Sequence, residues 1–126
     1  MNENYAVTSS SVSRDNLFVT GSGYPVVVDY VTVASGNNFT RGTVVGLVTA
    51  SGKAVAVDSS KSTGEEAPYA ILCNDTDASA ADVVVPVYLT GEYNGAALTF
   101  GGTDTVAKHK VALRKLGIFV KSAVPK

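Results

Sequence analysis

Short runs of β-forming residues, each closed by turn-forming residues, constrain this fold more than any other feature of the sequence. The clearest runs lie at residues 26–33, 43–49, 54–57 and 69–73, and the first three of them are rich in valine. Such runs favour β-strands. Gly, Ser, Asn and Lys follow two of them, at residues 35–38 and 51–53, which predicts turns, and the second turn joins two strands as a hairpin.

The middle of the chain continues this pattern. Residues 58–66 and 74–81 are small or polar, and we predict loops there. Residues 82–90 form another β-rich run but contain Pro86. Because proline cannot donate a hydrogen bond to a neighbouring strand, this run is predicted to lie at a sheet edge or to be bulged. Beyond it, Gly91 and Gly95 are predicted to bracket a turn, and residues 97–100 to form a short strand.

A single helix is predicted, between Thr103 or Asp104, either of which can cap it, and Gly117, which can end it. One face of this helix is apolar and carries Val106, His109, Ala112, Leu113 and Leu116. Residues 118–120 are then predicted to form a closing strand. The expected fold is an all-β or β-dominated domain with one C-terminal helix.

Residues 1–23 differ from the rest of the chain. They are rich in Ser, Thr and Asn and show no helical period, and we interpret them as a flexible arm that precedes a β-rich domain of residues 24–126. The alternative is a disordered tail without a role. Apolar side chains within the arm are the candidate binding residues, namely Tyr5, Val7, Val12, Leu17, Phe18 and Val19.

Composition narrows the classes of partner. The 126 residues suit one domain, and a formal net charge of -1 without a cluster of Lys or Arg argues against a nucleic-acid partner. We see no secretory signal and no apolar run of membrane-spanning length. A disulfide within the chain is excluded because Cys73 is the single cysteine.

No catalytic or metal-binding pattern emerges. His109 is the single histidine and lies on the apolar helix face, so we interpret it as a packing residue, and Cys73 lies in an apolar run. Asp75 and Asp77 resemble the start of a calcium loop, but Ala80 and Pro86 replace the required Gly and Glu. We therefore expect no enzyme activity, no cofactor and no metal.

Four segments together resemble one family: TRGTVVG at 40–46, PYAIL at 68–72, VYLTGEYN at 87–94 and LRKLGIFV at 113–120. In this order they are similar to the lambda-type head decoration proteins of tailed bacteriophages, over roughly residues 24–124.

The resemblance implies a β-clip-type domain that forms homotrimers. It also implies binding to the major capsid protein on the outer surface of the mature head, where the trimer stabilises the shell against the pressure of packaged DNA. Two alternatives stay open. One is a trimeric β-clip-like nucleotide hydrolase, for which Val28-Asp29-Tyr30 is a faint match, and the other is a general adhesion or binding module.

Overall fold

The computed structural model describes residues 16–19 and 23–121. Within these residues the fold is β-dominated, with one late helix, as the sequence predicts. The strands are β1 (Val28–Val33), β2 (Asn37–Phe39), β3 (Val44–Leu47), β4 (Ala54–Ala56), β5 (Ala70–Leu72), β6 (Thr76–Ala78), β7 (Val83–Tyr88), β8 (Gly91–Asn94) and β9 (Ile118–Lys121). A 3-10 turn spans Gly95–Ala97, and helix α1 spans Val106–Lys115.

Five strands close into a small barrel in the order β1-β4-β3-β5-β7. The longest pairing joins β1 and β7, which run antiparallel over six residues each. The barrel closes where β1 meets β4 in parallel at Val33 and Ala54. Two further sheets have two strands each, with β2 against β6 and β8 against β9.

Two hydrophobic cores flank the barrel wall. Alternate residues of β5 enter different cores: Ala70 and Leu72 pack inside the barrel, and Ile71 packs in a second core with Leu113 of α1 and Ile118 of β9. Successive side chains of a strand point to opposite faces. Because both faces of β5 are covered, its sequence is a continuous apolar run.

The predicted hairpin is confirmed, since β3 and β4 pair antiparallel across the turn that contains Gly52. Gly46 lies within β3 because another segment crosses closely there: a Cβ at this position would lie 2.6 Å from the Ala67 carbonyl oxygen. Gly117 has a φ of 91° and follows the last turn of α1, as the predicted helix end requires.

Three local predictions were wrong. Residues 76–78 form β6, which pairs with β2, although we predicted a loop at 74–81, because a three-residue strand of Thr, Asp and Ala depends on its distant partner. Residues 91–94 form β8, which is held by β9, where we predicted a turn. The predicted strand at 97–100 is reduced to one bridge, between Thr43 and Thr99.

Strand β7 does not lie at a sheet edge, because β1 and β5 pair with it on both sides. Pro86 is tolerated since its missing N–H faces β5 just where that strand ends. The Cys73 N–H donates to the Pro86 carbonyl (3.2 Å), so the nitrogen of Pro86 faces the Cys73 carbonyl, beyond the last residue of β5.

The start of α1 also differs from the prediction. Thr105 occupies the N-cap position without a side-chain hydrogen bond. The carboxylate of Asp104, one of the two predicted caps, accepts instead from Ser59 and contacts His109. Of the predicted apolar face, His109 and Leu113 are buried, whereas Leu116 stays exposed.

Candidate functional site

The N-terminal segment (residues 16–19) lies against the edge of β8. Phe18 forms an antiparallel bridge with Tyr93. The Val19 N–H donates to the Glu92 carbonyl (3.2 Å), and the Asn94 N–H donates to the Leu17 carbonyl (2.8 Å). The side-chain amide of Asn94 adds a bond to the Asn16 carbonyl (3.1 Å). These bonds pair the N-terminal segment with β8 around one antiparallel bridge, and β8 in turn pairs with β9.

The side chains of this segment complete the second core. Leu17 is only 2% exposed and packs in the core that contains Tyr93 and Leu113. The Phe18 ring lies 5.0 Å from that of Tyr88 and 4.9 Å from that of Tyr93, centroid to centroid. The structure thus places Leu17, Phe18 and Val19 on the body of the domain.

The other candidate arm residues, Tyr5, Val7 and Val12, lie outside the described residues. Their contact with a partner stays a prediction, as does any partner contact of Leu17, Phe18 and Val19. The same holds for the boundary between an arm of residues 1–23 and a domain of residues 24–126.

The guanidinium of Arg41 lies against the rings of Phe18 and Tyr88. Its guanidinium carbon lies 5.9 Å from the centroid of Phe18 and 5.6 Å from that of Tyr88. The same guanidinium donates to the Tyr88 hydroxyl (2.9 Å) and to the Cys73 carbonyl (2.6 Å). Arg41 therefore connects the N-terminal segment to strand β7 and to the end of β5.

Glu92 joins three parts of the chain. Its backbone carbonyl accepts from Val19. Its carboxylate accepts from the Tyr24 N–H (3.2 Å) and pairs with the Lys121 ammonium (2.7 Å). The segment before β1 and the last described residue of β9 are thus fixed to the same side chain.

An exposed apolar face lies on the outside of the β1–β7 ladder. Tyr30 is 65% exposed and lies opposite Pro86, and Val84 is 66% exposed and lies opposite Thr32. Val28 shares their side of the sheet, because side chains alternate along a strand. Monomers rarely leave such side chains grouped on the surface unless the group binds another protein.

The charged side chains of Asp82, just before β7, and of Asp29, in β1, each make a local contact. The Lys53 ammonium lies 2.7 Å from an Asp82 carboxylate oxygen, immediately before β7. The carboxylate of Asp29 accepts the N–H of Tyr30 (2.8 Å) and so caps its own backbone. This arrangement gives Asp29, the residue behind the faint match to nucleotide hydrolases, a local structural role.

One buried cluster contains Ser, Asp and His, yet it lacks the order that catalysis needs. The Ser59 hydroxyl donates to Asp104 (2.6 Å), and the His109 Nε2 contacts the other Asp104 oxygen (2.6 Å). In a nucleophilic site the histidine must accept the proton of the hydroxyl. Here the carboxylate stands between them, so the cluster fastens α1 to the loop after β4.

The electrostatics of this cluster agree with a structural role. Hydrogen bonds from Ser59 and His109 lower the pKa of Asp104 from 3.8 to about 2. The His109 ring stacks on Phe100, with centroids 5.5 Å apart.

Burial raises the pKa of the Cys73 thiol, which keeps the nucleophilic thiolate scarce.

Within residues 16–19 and 23–121, no group of three His, Cys, Asp or Glu side chains is placed to hold a metal ion. The helix found in this part of the chain is too short to cross a membrane.

Sequence reasoning missed Arg41, Glu92 and Asp104 as the residues that connect separate parts of the fold. Arg41 and Glu92 had an available sign, because each lies in a segment that carried the family resemblance. Each of the three acts on a chain segment more than 25 residues away or on a backbone group that no periodicity identifies, so local patterns do not reveal them.

Residues 6–119 match the sequence model of a family described as bacteriophage lambda head decoration protein D. A search of the curated proteins finds no match for this chain.

Proposed function

Because this chain belongs to the family of the bacteriophage lambda head decoration protein D, we propose that it binds the major capsid protein as a homotrimer and stabilises the phage head. The match over residues 6–119 carries this conclusion. The family is structural and not enzymatic, and a head decoration protein lies on the outer surface of the capsid. The finer fold that we propose is of the β-clip type.

The stabilisation follows from mass action. Packaged DNA pushes outward on a thin shell. A protein that binds the intact shell and not its separated subunits favours the intact state by the free energy of its own binding. Such a role needs binding surfaces and no active site. The cluster of Ser59, Asp104 and His109 agrees with this, because its carboxylate lies between the hydroxyl and the imidazole.

For the trimer interface we propose the exposed face on the outside of β1 and β7. Tyr30 and Val84 are the most exposed large apolar side chains of the two strands. The positions of this face named here are uncharged: Val28, Tyr30 and Thr32 on β1, and Val84 and Pro86 on β7. A second copy of the chain is the occupant that the family resemblance implies.

For the capsid contact we propose the N-terminal arm, part of which adds as a strand to an exposed sheet edge of the capsid subunit. One arm binds weakly, since each new backbone hydrogen bond contributes about 0.5–1.5 kcal/mol while ordering each residue costs about 1–2 kcal/mol. Three arms on one trimer raise the avidity by about 10² to 10⁴ over one arm.

The test is co-sedimentation of the protein with expanded, DNA-free capsids of its phage. The full chain is expected to sediment with the shells and to shift their thermal disruption to higher temperature. A variant that lacks residues 1–15 keeps every described contact and is expected to stay folded by circular dichroism but to remain in the supernatant. Full binding by this variant would move the contact from the arm to the domain body. Absence of binding by the full chain contradicts the proposed function.

A further inference from the structure

Strand β8 ends in the one Asn-Gly pair of the sequence, Asn94 and Gly95. Such a pair is open to deamidation, because glycine has no side chain to keep its backbone nitrogen from approaching the asparagine side chain. In this reaction the Gly95 nitrogen bonds to the Asn94 Cγ, and the bond from Cγ to Nδ2 breaks. The proton of the Gly95 N–H leaves with Nδ2 as ammonia. Water then opens the cyclic imide to aspartate or isoaspartate.

The folded structure holds the Asn94 amide away from this reaction. Asn94 is only 5% exposed. Its Oδ1 accepts from the Ala96 N–H (3.0 Å), and its Nδ2 donates to the Asn16 carbonyl (3.1 Å). Ring closure also requires the Asn94 Cβ and the Gly95 nitrogen to eclipse each other about the Cα–C bond, and the observed ψ of 113° keeps them far from that arrangement. The pair therefore reacts only after the end of β8 opens.

The N-terminal segment covers this end of β8. The Asn94 N–H donates to the Leu17 carbonyl (2.8 Å), beside the side-chain bond to Asn16. Leu17 is buried in the second core and anchors the segment there. On its other side Asn94 pairs with Lys121 of β9. Because the segment accepts one bond from the backbone of Asn94 and one from its side chain, departure of the segment releases both groups that must turn.

We propose that Asn94 is a deamidation site that the N-terminal segment protects, and that deamidation in turn loosens the segment. A carboxylate at position 94 has no N–H to donate, so the bond to the Asn16 carbonyl is lost and two acceptors face each other. The product also carries a negative charge in a place that is almost fully buried, which is unfavourable. Deamidation after the segment has opened thus disfavours its return to β8.

The first experiment compares the rate of deamidation in the full chain and in two matched variants. Leu17→Ala loosens the segment, whereas Leu72→Ala removes a fully buried leucine from the barrel core. The proteins are incubated in mildly alkaline buffer without denaturant, and peptide mass spectrometry follows conversion at position 94. The rate is proportional to the population of the open state. Leu17→Ala should therefore raise it by about 30-fold or more, the factor that corresponds to the smallest usual cost of such a cavity. Leu72→Ala should leave it nearly unchanged.

Three outcomes of this experiment would overturn the proposal. Equal acceleration by both variants would show that the pair reacts through unfolding of the whole domain. A wild-type chain that converts as fast as the urea-unfolded chain would show that the fold gives no protection. A folded Leu17→Ala protein without conversion at position 94 would remove the site.

Hydrogen exchange of the wild-type protein decides the question if either variant fails to fold. The Asn94 amide, which donates to Leu17, should exchange through local opening well before the Leu72 amide, which donates to the Thr43 carbonyl (2.9 Å). Exchange of both amides only through global unfolding would contradict a segment that opens by itself.

The second experiment imitates the product with Asn94→Asp. The Val19 amide, which donates to the Glu92 carbonyl (3.2 Å), reports on the segment. Its hydrogen exchange should become about 2- to 13-fold faster, the factor for loss of one hydrogen bond. Asn38→Asp is the matched control, because it adds the same charge at an exposed position of β2, and it should leave this exchange unchanged. If the Val19 amide is as protected in Asn94→Asp as in wild type, deamidation does not loosen the segment.

Discussion

Arg41 supplies to the Cys73 carbonyl the hydrogen bond that Pro86 cannot donate. Cys73 and Pro86 extend the β5–β7 pairing by one position, where the Cys73 N–H donates to the Pro86 carbonyl. An antiparallel pair of this kind exchanges two bonds, and the guanidinium of Arg41, 2.6 Å from the Cys73 carbonyl, takes the place of the second donor. A proline inside a closed barrel is therefore tied to an arginine 45 positions earlier in the chain.

This relationship predicts coupling between the two residues. Arg41→Ala leaves the Cys73 carbonyl without its donor and should reduce the free energy of unfolding by about 1–3 kcal/mol. Pro86→Ala restores an N–H at the same place, so Arg41→Ala should cost less in that background, with a coupling of about 0.5–3 kcal/mol. Urea unfolding of the four proteins measures it. If Arg41→Ala lowers the free energy of unfolding equally in both backgrounds, the guanidinium does not take the place of the N–H that Pro86 lacks.

The Asp104 carboxylate predicts loss of stability in acid. Its folded pKa of about 2 lies below the ordinary value of 3.8, so the contribution is fully present above about pH 4 and is lost as the pH falls toward 2. Asp104→Asn removes this titration. The difference in free energy of unfolding between wild type and Asp104→Asn should shrink over that pH range in urea unfolding. A constant difference from pH 5 to pH 2 would contradict the assignment.

The strands that the sequence predicted correctly are those whose stability is local. The valine-rich runs became β1, β3 and β4, and the apolar run at 69–73 became β5, because β-branched and other apolar side chains suit a pleated sheet that is covered on at least one face. Gly117 ended the helix because a left-handed residue is required there.

The predictions that failed depended on partners far away in the sequence. A proline excludes a strand from the sheet interior only if its missing N–H faces a paired strand. At Pro86 the neighbouring strand β5 has already ended, at Leu72. Nothing in residues 82–90 indicates where β5 ends. Leu17 and Phe18 lie in a polar region that gave no strand pattern, yet Tyr93 and Tyr88 provide their packing. Neither fact follows from local composition.

The exposed β1–β7 face predicts how self-association can be blocked. Tyr30→Lys and Val84→Lys place charges on the proposed interface and should give single chains. Val111→Lys is the matched control, because Val111 is 70% exposed on α1 and lies outside that face. Light scattering should give about three times the 12.9 kDa chain mass for wild type and the control. Retention of the wild-type mass by both face variants would place the interface elsewhere.

The burial of Leu17 predicts where the chain can be truncated without loss of stability. Removal of residues 1–15 deletes no described contact and should leave the free energy of unfolding unchanged. Leu17→Ala removes a side chain that is 2% exposed and should cost about 2–5 kcal/mol, because the surrounding core fills such a cavity only partly. Val111→Ala, at a surface position, should change stability by less than about 0.5 kcal/mol. Urea unfolding of the three variants measures these differences. A Leu17→Ala protein as stable as the Val111→Ala control would show that the N-terminal segment is not held in the core.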